Sequence, residues 1–468
     1  MAKTVIVSYR GPAAPALTPQ TAPGGVQAGL NRLFQKAAPG KVVWVYVEGN
    51  SLWLADGHQR RELVAIDPAI VAEHYRGIAN GVIWPITHEQ YEQVRSGNLV
   101  AYVQFNAIVA EQLRRIVVPG DWVTIQDYQF ALVSAMVPEL RTSLFWHIPW
   151  PTQVPNEFLE IMKMVARGLL GATLLGFHTK EYRRDFLKFV KQHLPEYRVY
   201  IFNVDDTVTG HSARIVVQPL GIDYSYWADL AVGPLEVPEF PTGPVVLSVE
   251  RLDYSKGVLQ RFNAIDRFYE TNSDRRFYKT NYDRPEPVSF LQVAAKTRED
   301  VDSFQKYWDE CEALEAKINA RWKTDGWKPL IWIKHAIPPS KLAPLYRAAD
   351  ALAIGPLRDG LNLVAAEAVA AADEENPPVL CLSSGAGIWE QFGKMTWLQR
   401  GAIELKPDNP HQMATAFGKA LAMPKWQRKR RIKWLKRQVK ANPLTNWVDT
   451  MCLDPAKNAR PRKRPNRR

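Results

Sequence analysis

Short runs of β-branched and aromatic residues alternate with stretches of helical periodicity along the chain, and the alternation starts twice. The first series of apolar runs lies at 4–8, 42–47, 122–125, 143–147, 173–177 and 214–218; the second at 245–249, 289–294, 329–334, 351–354 and 378–382. Strands that take turns with helices make parallel sheets, because a parallel neighbour is reached through a crossover that packs on a sheet face. Between the two series, residues 232–244 hold four prolines and two glycines, the composition of a linker. A chain of 468 residues is also too long for one hydrophobic core. The expected architecture is α/β, with two Rossmann-like doubly wound domains facing across a cleft at the carboxyl ends of their strands, where such sheets bind ligands. The first would cover residues 1–235 and the second 236–425.

Charge and cysteines narrow the function classes. Net charge is +12, but residues 455–468 alone carry seven cations and no acid, leaving +5 for the rest. This Pro- and Arg-rich end, with the tail taken as 453–468, cannot bury apolar surface and reads as a basic disordered tail. A second cluster, 425–440, holds nine cations interleaved with Trp426, Ile432, Leu435 and Val439, the pattern of a solvated helix with one buried stripe. Specific nucleic-acid binding is therefore not expected. No run of about 18 apolar residues occurs and the first strand starts near residue 4, so neither a membrane span nor a signal peptide is expected, and the protein reads as cytoplasmic. Cys311, Cys381 and Cys452 are widely spaced, which indicates reduced structural thiols and no zinc site.

Two segments carry chemistry. In Arg251-Leu252-Asp253-Tyr254-Ser255-Lys256-Gly257, two cations follow a predicted strand and can neutralise a diphosphate without a metal. In Pro356-Leu357-Arg358-Asp359-Gly360-Leu361-Asn362-Leu363-Val364-Ala365-Ala366-Glu367, a glycine turn opens a helix, so free backbone N–H groups are offered to an anion. The bland alternatives are surface charge for Arg251 and Lys256, an N-terminal cap for Asp359 and an exposed helix acid for Glu367. Other chemistries lack their motifs. Gly385-Ala386-Gly387 runs on to Glu390 where a dinucleotide fingerprint needs glycine, and His88-Glu89-Gln90-Tyr91-Glu92 lacks the second histidine of a zinc protease. Asp205-Asp206 reads as a loop pair, and Ser383-Ser384-Gly385 lacks the upstream glycine of a nucleophile elbow.

Both segments resemble signature blocks of the trehalose-phosphate synthase family, the retaining glycosyltransferases of family 20. Ser8-Tyr9-Arg10, Gly24-Gly25, Tyr75 with Trp84-Pro85, Asp127-Tyr128, His147-Ile148-Pro149-Trp150-Pro151 and Leu175-Gly176-Phe177 follow in the family's order, so the resemblance runs from residue 4 to about residue 450. It implies the GT-B glycosyltransferase fold, an acceptor-binding first domain, a nucleotide-sugar-binding second domain, and a helix over 426–452 that crosses back to the first. It implies transfer of glucose from a nucleotide diphosphate glucose to glucose 6-phosphate, giving α,α-trehalose 6-phosphate, with small molecules as partners and neither cofactor nor metal. The nucleobase and a homo-oligomeric state stay open.

Residue by residue, the resemblance gives Arg251 and Lys256 to the diphosphate, Leu363 and Val364 N–H groups to the same phosphates, and Asp359 to donor-sugar hydroxyls. Glu367 goes to the ribose, with Gly24, Gly25, Gly360, Leu361 and Asn362 completing the donor set. His147 and Asp127 are implied at the reacting sugars, with Arg251 and Lys256 as the catalytic cations. Arg10, Tyr75, Trp84 and Arg298 match positions around the acceptor phosphate. The chain departs from the family at Gln126 and Gln129, where histidine is usual, at Val47, where a tryptophan is expected while Trp44 stands earlier, and at Ala366, where lysine is common. These departures leave room for a glucosylglycerol-phosphate synthase or a pseudo-glycosyltransferase that joins a nucleotide-activated cyclitol to an aminocyclitol phosphate. A nucleotide-sugar-binding regulatory pseudoenzyme is the reading from another class.

Overall fold

The computed structural model describes residues 2–12, 25–38, 40–48, 60–201, 206–209, 213–272, 277–278, 286–296, 302–393 and 401–454. Gly24, Arg298 and the basic tail 455–468 lie outside the described residues. The described chain divides into two compact units that change over after Leu220 and again after Pro443.

The first unit is built on nine strands: β1 (Thr4–Arg10), β2 (Val42–Glu48), β3 (Arg60–Leu63), β4 (Trp122–Gln126), β5 (Thr142–Trp146), β6 (Leu174–Phe177), β7 (Arg198–Tyr200), β8 (Asp206–Thr209) and β9 (Ala213–Val217). Their order is β3-β2-β1-β4-β5-β6-β9-β8-β7, with parallel pairing from β3 to β9 and antiparallel pairing of β7 and β8 at the far edge. Val5, Ile6, Val7, Trp44, Val123, Ile125, Leu144 and Phe145 are fully or nearly fully buried, as strands covered on both faces require. The order reverses direction between β1 and β4, which makes their carboxyl ends the topological switch point.

The second unit repeats the device with β10 (Val245–Arg251), β13 (Ser289–Ala295), β14 (Leu330–Ile333), β15 (Ala351–Ile354), β16 (Val379–Ser383) and β17 (Ile403–Leu405). These run β14-β13-β10-β15-β16-β17, all parallel, while β11 (Phe277–Tyr278) and β12 (Glu286–Pro287) form a separate hairpin. Numbered within the unit, the six-stranded order is the doubly wound 3-2-1-4-5-6, with its switch point between β10 and β15.

The units meet the sequence expectations differently at their borders. The proline-rich stretch 232–244 lies inside the second unit, and the changeover comes earlier, at Leu220–Gly221. Its cause is local: the helix Tyr224–Leu230 packs Trp227 on Tyr346, and Ile222 bridges to Pro443 within the same unit. The helix expected over 426–452, with a kink near Asn442-Pro443, breaks at that point. Lys425–Ala441 belongs to the second unit and ends at Asn442, because the residue before a proline is driven out of helical geometry. Leu444–Trp447 then starts the return to the first unit, where Ser143 Oγ and Trp122 Nε1 donate to Met451 O and Arg141 pairs with Asp454 at 2.7 Å. In the basic helix Ile432, Leu435 and Val439 form the buried stripe, but Trp426 is 61% exposed. Six residues before Ile432, it falls on another face of a helix with 3.6 residues per turn.

Candidate functional site

In the second unit the two chemically loaded segments follow β10 and β15, the strands that flank the switch point. Asp253 Oδ1 accepts from Ser255 N and Oγ at 2.9 Å each, tightening the turn that ends in Gly257. Gly257 has φ +66°, and a Cβ there would lie 2.3 Å from Gly355 O, so glycine is needed both for the conformation and for the approach of the β15 loop. Leu357 N donates to Ser255 O at 2.8 Å and joins the two segments. Behind them Arg261, fully buried on the helix Val258–Thr271, pairs with Glu250 and donates through Nε to Gln292 Oε1 at 3.1 Å. That anchors the end of β10 from which Arg251 emerges, exposed.

Lys256 Nζ lies 2.7 Å from Asp359 Oδ2, with each residue 8% exposed. Asn362 Nδ2 also donates to Asp359 Oδ2, at 3.1 Å. Asn362 itself sits at φ 76°, ψ 82° and caps the helix Leu363–Ala371 by accepting from Ala365 N. Asp359 is therefore not the helix cap; Asn362 is. The cap takes the Ala365 N–H, and among the described residues the Leu363 and Val364 N–H groups at the helix start meet no acceptor, which leaves them open to an anion.

Gly360 and Leu361 are held from behind by the loop after β16. Gly387 N donates to Asp359 O at 3.1 Å and Ile388 N to Leu361 O at 2.8 Å, while a Cβ at Gly385 or Gly387 would lie 2.1 Å from Leu357 O or Gly360 O. The Gly385-Ala386-Gly387 pair thus supports the Asp359 loop by backbone contact. Its sequence signal was two glycines after a buried strand, even without a dinucleotide fingerprint. One turn into the helix, the Glu367 carboxyl has no hydrogen-bond partner among the described residues, and burial pushes its pKa up to about 8. The residue is half-buried, and a carboxyl with a raised pKa beside a helix start marks a candidate ligand contact.

In the first unit, Asp127 follows β4 with φ 75° and ψ 175°, a region that residues with a side chain rarely adopt. Its surroundings fix it there. Asp127 N donates to Phe145 O at 2.9 Å, Asp127 Oδ1 accepts from His147 N at 3.2 Å, and Tyr102 OH donates to Tyr128 O. Asn106 Nδ2 donates to Gln129 O at 3.2 Å, and Tyr128 OH donates to Asn80 Oδ1 at 2.8 Å. Asn80 in turn belongs to Glu73–Ile83, wound as a π-helix, which also carries Tyr75 and leads into buried Trp84. Tyr75 stacks on Tyr9 at 4.5 Å between centroids, beside exposed Arg10 at the end of β1. Tyr102, Asn106 and Asn80 escaped the sequence reading, since only the fold brings them to the Asp127 turn. Trp44 Nε1 donates to Ser8 Oγ at 2.7 Å in the core, so it does not substitute for the tryptophan missing at Val47.

His147 follows β5 and is 8% exposed, among the rings of Phe145 and Trp447. Its Nε2 lies 2.9 Å from Gln126 Oε1 and its Nδ1 3.3 Å from His178 Nε2. Burial, helped by His178, holds its pKa well below 6.5, so the ring is neutral. Among the described residues no three His, Cys, Asp or Glu side chains are grouped as metal ligands would be, and no helix is long and apolar enough to cross a membrane. Asp206 opens β8 and is not in a loop; Asp205 lies outside the described residues.

The first unit thus gathers Arg10, Tyr75, Trp84, Asp127 and His147 on its own β1, β4 and β5 ends and the π-helix beside them. In the second, Lys256, Asp359 and Asn362 meet at one anion-ready helix start, Glu367 lies one turn into that helix, and Arg251 ends β10. Gly25 opens the helix Gly25–Lys36 of the first unit.

Known proteins resemble this chain in sequence and fold. The model for glycosyltransferase family 20 matches residues 55–456. An α,α-trehalose-phosphate synthase [UDP-forming] of Dictyostelium discoideum is 28% identical over 91% of this chain, which spans 57% of that relative's length. An Escherichia coli trehalose-6-phosphate protein solved with UDP-2-fluoro glucose superposes with a TM-score of 0.82 at 27% identity, covering 96% of this chain and 98% of the other. The α,α-trehalose-phosphate synthase (UDP-forming) of Burkholderia xenovorans, in complex with glucose-6-phosphate, gives 0.84 at 28% identity, with the same coverage of 96% and 98%. With a family model matching most of its length and the two doubly wound sheets of the GT-B fold, this chain belongs to glycosyltransferase family 20.

Proposed function

We propose that the protein is a retaining glycosyltransferase of the cytoplasm that moves glucose from a nucleotide diphosphate glucose to glucose 6-phosphate, giving α,α-trehalose 6-phosphate. The observation that carries this reading is the 2.7 Å Lys256–Asp359 pair beside the uncapped N–H groups of Leu363 and Val364. A cation and an anion side by side at a helix start suit a ligand that offers phosphate to one and hydroxyls to the other. Glu367, one turn along, would take the ribose hydroxyls. UDP-glucose is the first donor to try, since the relatives are named UDP-forming.

In the step itself, the bond from glucose C1 to the leaving diphosphate oxygen breaks while the acceptor hydroxyl forms the new C1–O bond on the same face. The acceptor's proton passes to the leaving phosphate oxygen, which keeps the anomeric configuration without a protein nucleophile. Arg251 and Lys256 stabilise negative charge that grows on the diphosphate, an interaction stronger in the transition state than before it. Neither cation needs a metal to do this. Asp127 would hold an acceptor hydroxyl, with Arg10, Tyr75 and Trp84 around the acceptor phosphate.

Gln126 and Gln129 keep a cyclitol phosphate as the second acceptor reading. The Gln126 side chain, however, turns to internal partners, His147 and Thr124. That favours an ordinary sugar phosphate. The test crosses UDP-, GDP- and ADP-glucose with glucose 6-phosphate, glycerol 3-phosphate and an aminocyclitol phosphate, with product stereochemistry read by NMR. An α,α-linked product from glucose 6-phosphate supports the reading. Donor binding with no product from any pair would replace it with a nucleotide-sugar-binding regulatory protein.

A further inference from the structure

His147 belongs to a hydrogen-bonded chain whose direction is fixed by a backbone amide at one end. The backbone N–H of Leu220 donates to His178 Nδ1 at 3.3 Å. A backbone amide can only donate, so His178 Nδ1 carries a lone pair and the ring proton sits on Nε2. That N–H points at His147 Nδ1, 3.3 Å away, which must then accept. The His147 proton is left on Nε2, 2.9 Å from Gln126 Oε1. At the other end, Gln126 Nε2 donates to Thr124 Oγ1 at 2.9 Å, which turns the amide oxygen toward His147. All four side chains are buried, and the His147 ring is walled by Phe145 and Trp447.

We propose that Gln126 and His178 are positioning residues that lock His147 as a neutral imidazole with its proton on Nε2. The consequence rests on the transferase reading above. A glucosyl group leaving a diphosphate develops positive charge at C1, and an imidazolium nearby would repel it. A histidine at position 126 could itself take up a proton; an amide cannot. Gln126 therefore removes a titratable group and presents to Nε2–H an acceptor too weak to draw a second proton onto the ring. The titratable groups that the described residues place against His147 are His178 and Asp127, and the Asp127 carboxylate meets its backbone N–H.

Long-range proton–nitrogen NMR of the full-length protein labelled in histidine, with His147 assigned through His147→Asn, reads the tautomer directly. Both rings should show bare Nδ1 and protonated Nε2 from about pH 6 to pH 8. A protonated Nδ1 or an imidazolium at His147 in that range would overturn the proposal, and this arm needs no variant to fold. In Gln126→Glu, a carboxylate opposite Nε2–H should raise the His147 pKa into the neutral range and lower kcat at pH 7 on the order of a hundredfold. Donor KM should change little and kcat should recover as pH rises. A His147 imidazolium seen by NMR in Gln126→Glu together with wild-type kcat would refute the charge argument. Absence of turnover in the wild type would sink the transferase reading while the NMR still decides the tautomer.

Discussion

Replacing Asp127 by glycine and by alanine separates what its backbone costs from what its carboxylate does. Both substitutions delete the carboxylate and the hydrogen bond it accepts from His147 N at 3.2 Å. They differ in the backbone, since φ 75° with ψ 175° is open to glycine and closed to alanine. Residues held in this region cost about 1–3 kcal/mol. Against that, glycine gains about 0.4–1 kcal/mol more entropy than alanine in the unfolded chain. At the midpoints of these ranges the difference leaves Asp127→Gly more stable than Asp127→Ala by about 1.3 kcal/mol. In a domain of this size that is a few degrees in the unfolding midpoint, roughly 2–4 °C per kcal/mol. The sign is the diagnostic, because elsewhere glycine is the less stable of the two. Calorimetry that resolves the transition of the first unit provides the assay, and both variants should lose turnover. Equal stability, or a more stable alanine variant, would show that Asp127 is not strained, and the argument from strain to function would fall.

Lys256→Ala and Arg251→Ala should each lower kcat by orders of magnitude, about 2–4 kcal/mol of lost transition-state stabilisation, while EDTA leaves wild-type activity unchanged. Exposed Arg251 should go with little change in stability, whereas Lys256→Ala should also lose stability because the buried Asp359 carboxylate is left without the Lys256 cation, and full activity in Lys256→Ala or abolition by EDTA would break the metal-free phosphate assignment. With its pKa near 8, Glu367 is protonated at pH 6.5 and ionised at pH 9, so titration calorimetry should show donor affinity rising across that window, and a flat profile in the wild type would remove Glu367 from the ribose role. The same raised pKa lowers stability as pH climbs from the unfolded carboxyl value of 4.5 through about 8, so Glu367→Gln should gain most over wild type at pH 9 and little at pH 5. Wild-type enzyme should use glucose far less efficiently than glucose 6-phosphate; equal kcat/KM would dismiss a phosphate role for Arg10.

Much of the scaffold can be read from the sequence because buried parallel strands are continuous apolar runs. The runs at 245–249, 289–294 and 351–354 fall on β10, β13 and β15 within two residues of the observed ends. The short edge strands escaped for the opposite reason. β3 reads Arg-Arg-Glu-Leu and β7 Arg-Val-Tyr, so neither shows an apolar run, and both are fixed by the neighbour they pair with. The proline-rich stretch misled through composition: prolines stiffen a surface segment whether or not a unit border runs through it. At the site, glycines and charges after strands were visible, whereas the His178 contribution depends on an amide 42 residues away and had no local signal.

Backbone geometry adds an independent argument that the gathered residues are functional. Among the described residues three without glycine's freedom have positive φ: Glu89, Asp127 and Asn362. Two of the three stand in loops at the carboxyl ends of β4 and β15, each bordering the switch point of its own sheet. Asn362 is accounted for locally, since asparagine tolerates the left-handed region and repays it by capping the helix. Asp127 makes no side-chain cap bond; its carboxylate accepts instead from His147 N, and Tyr102, Asn106 and Asn80 hold the next two residues. A fold that spends three buried polar side chains to hold one carboxylate in an unfavourable conformation is selecting where that carboxylate points. Asn106→Leu, which removes one of those holds while keeping the core filled, should therefore cost less stability in the Asp127→Gly background than in the wild type, because the glycine needs no holding. Equal costs in both backgrounds would mean that Asn106 merely packs, and that the turn does not owe its geometry to the clamp.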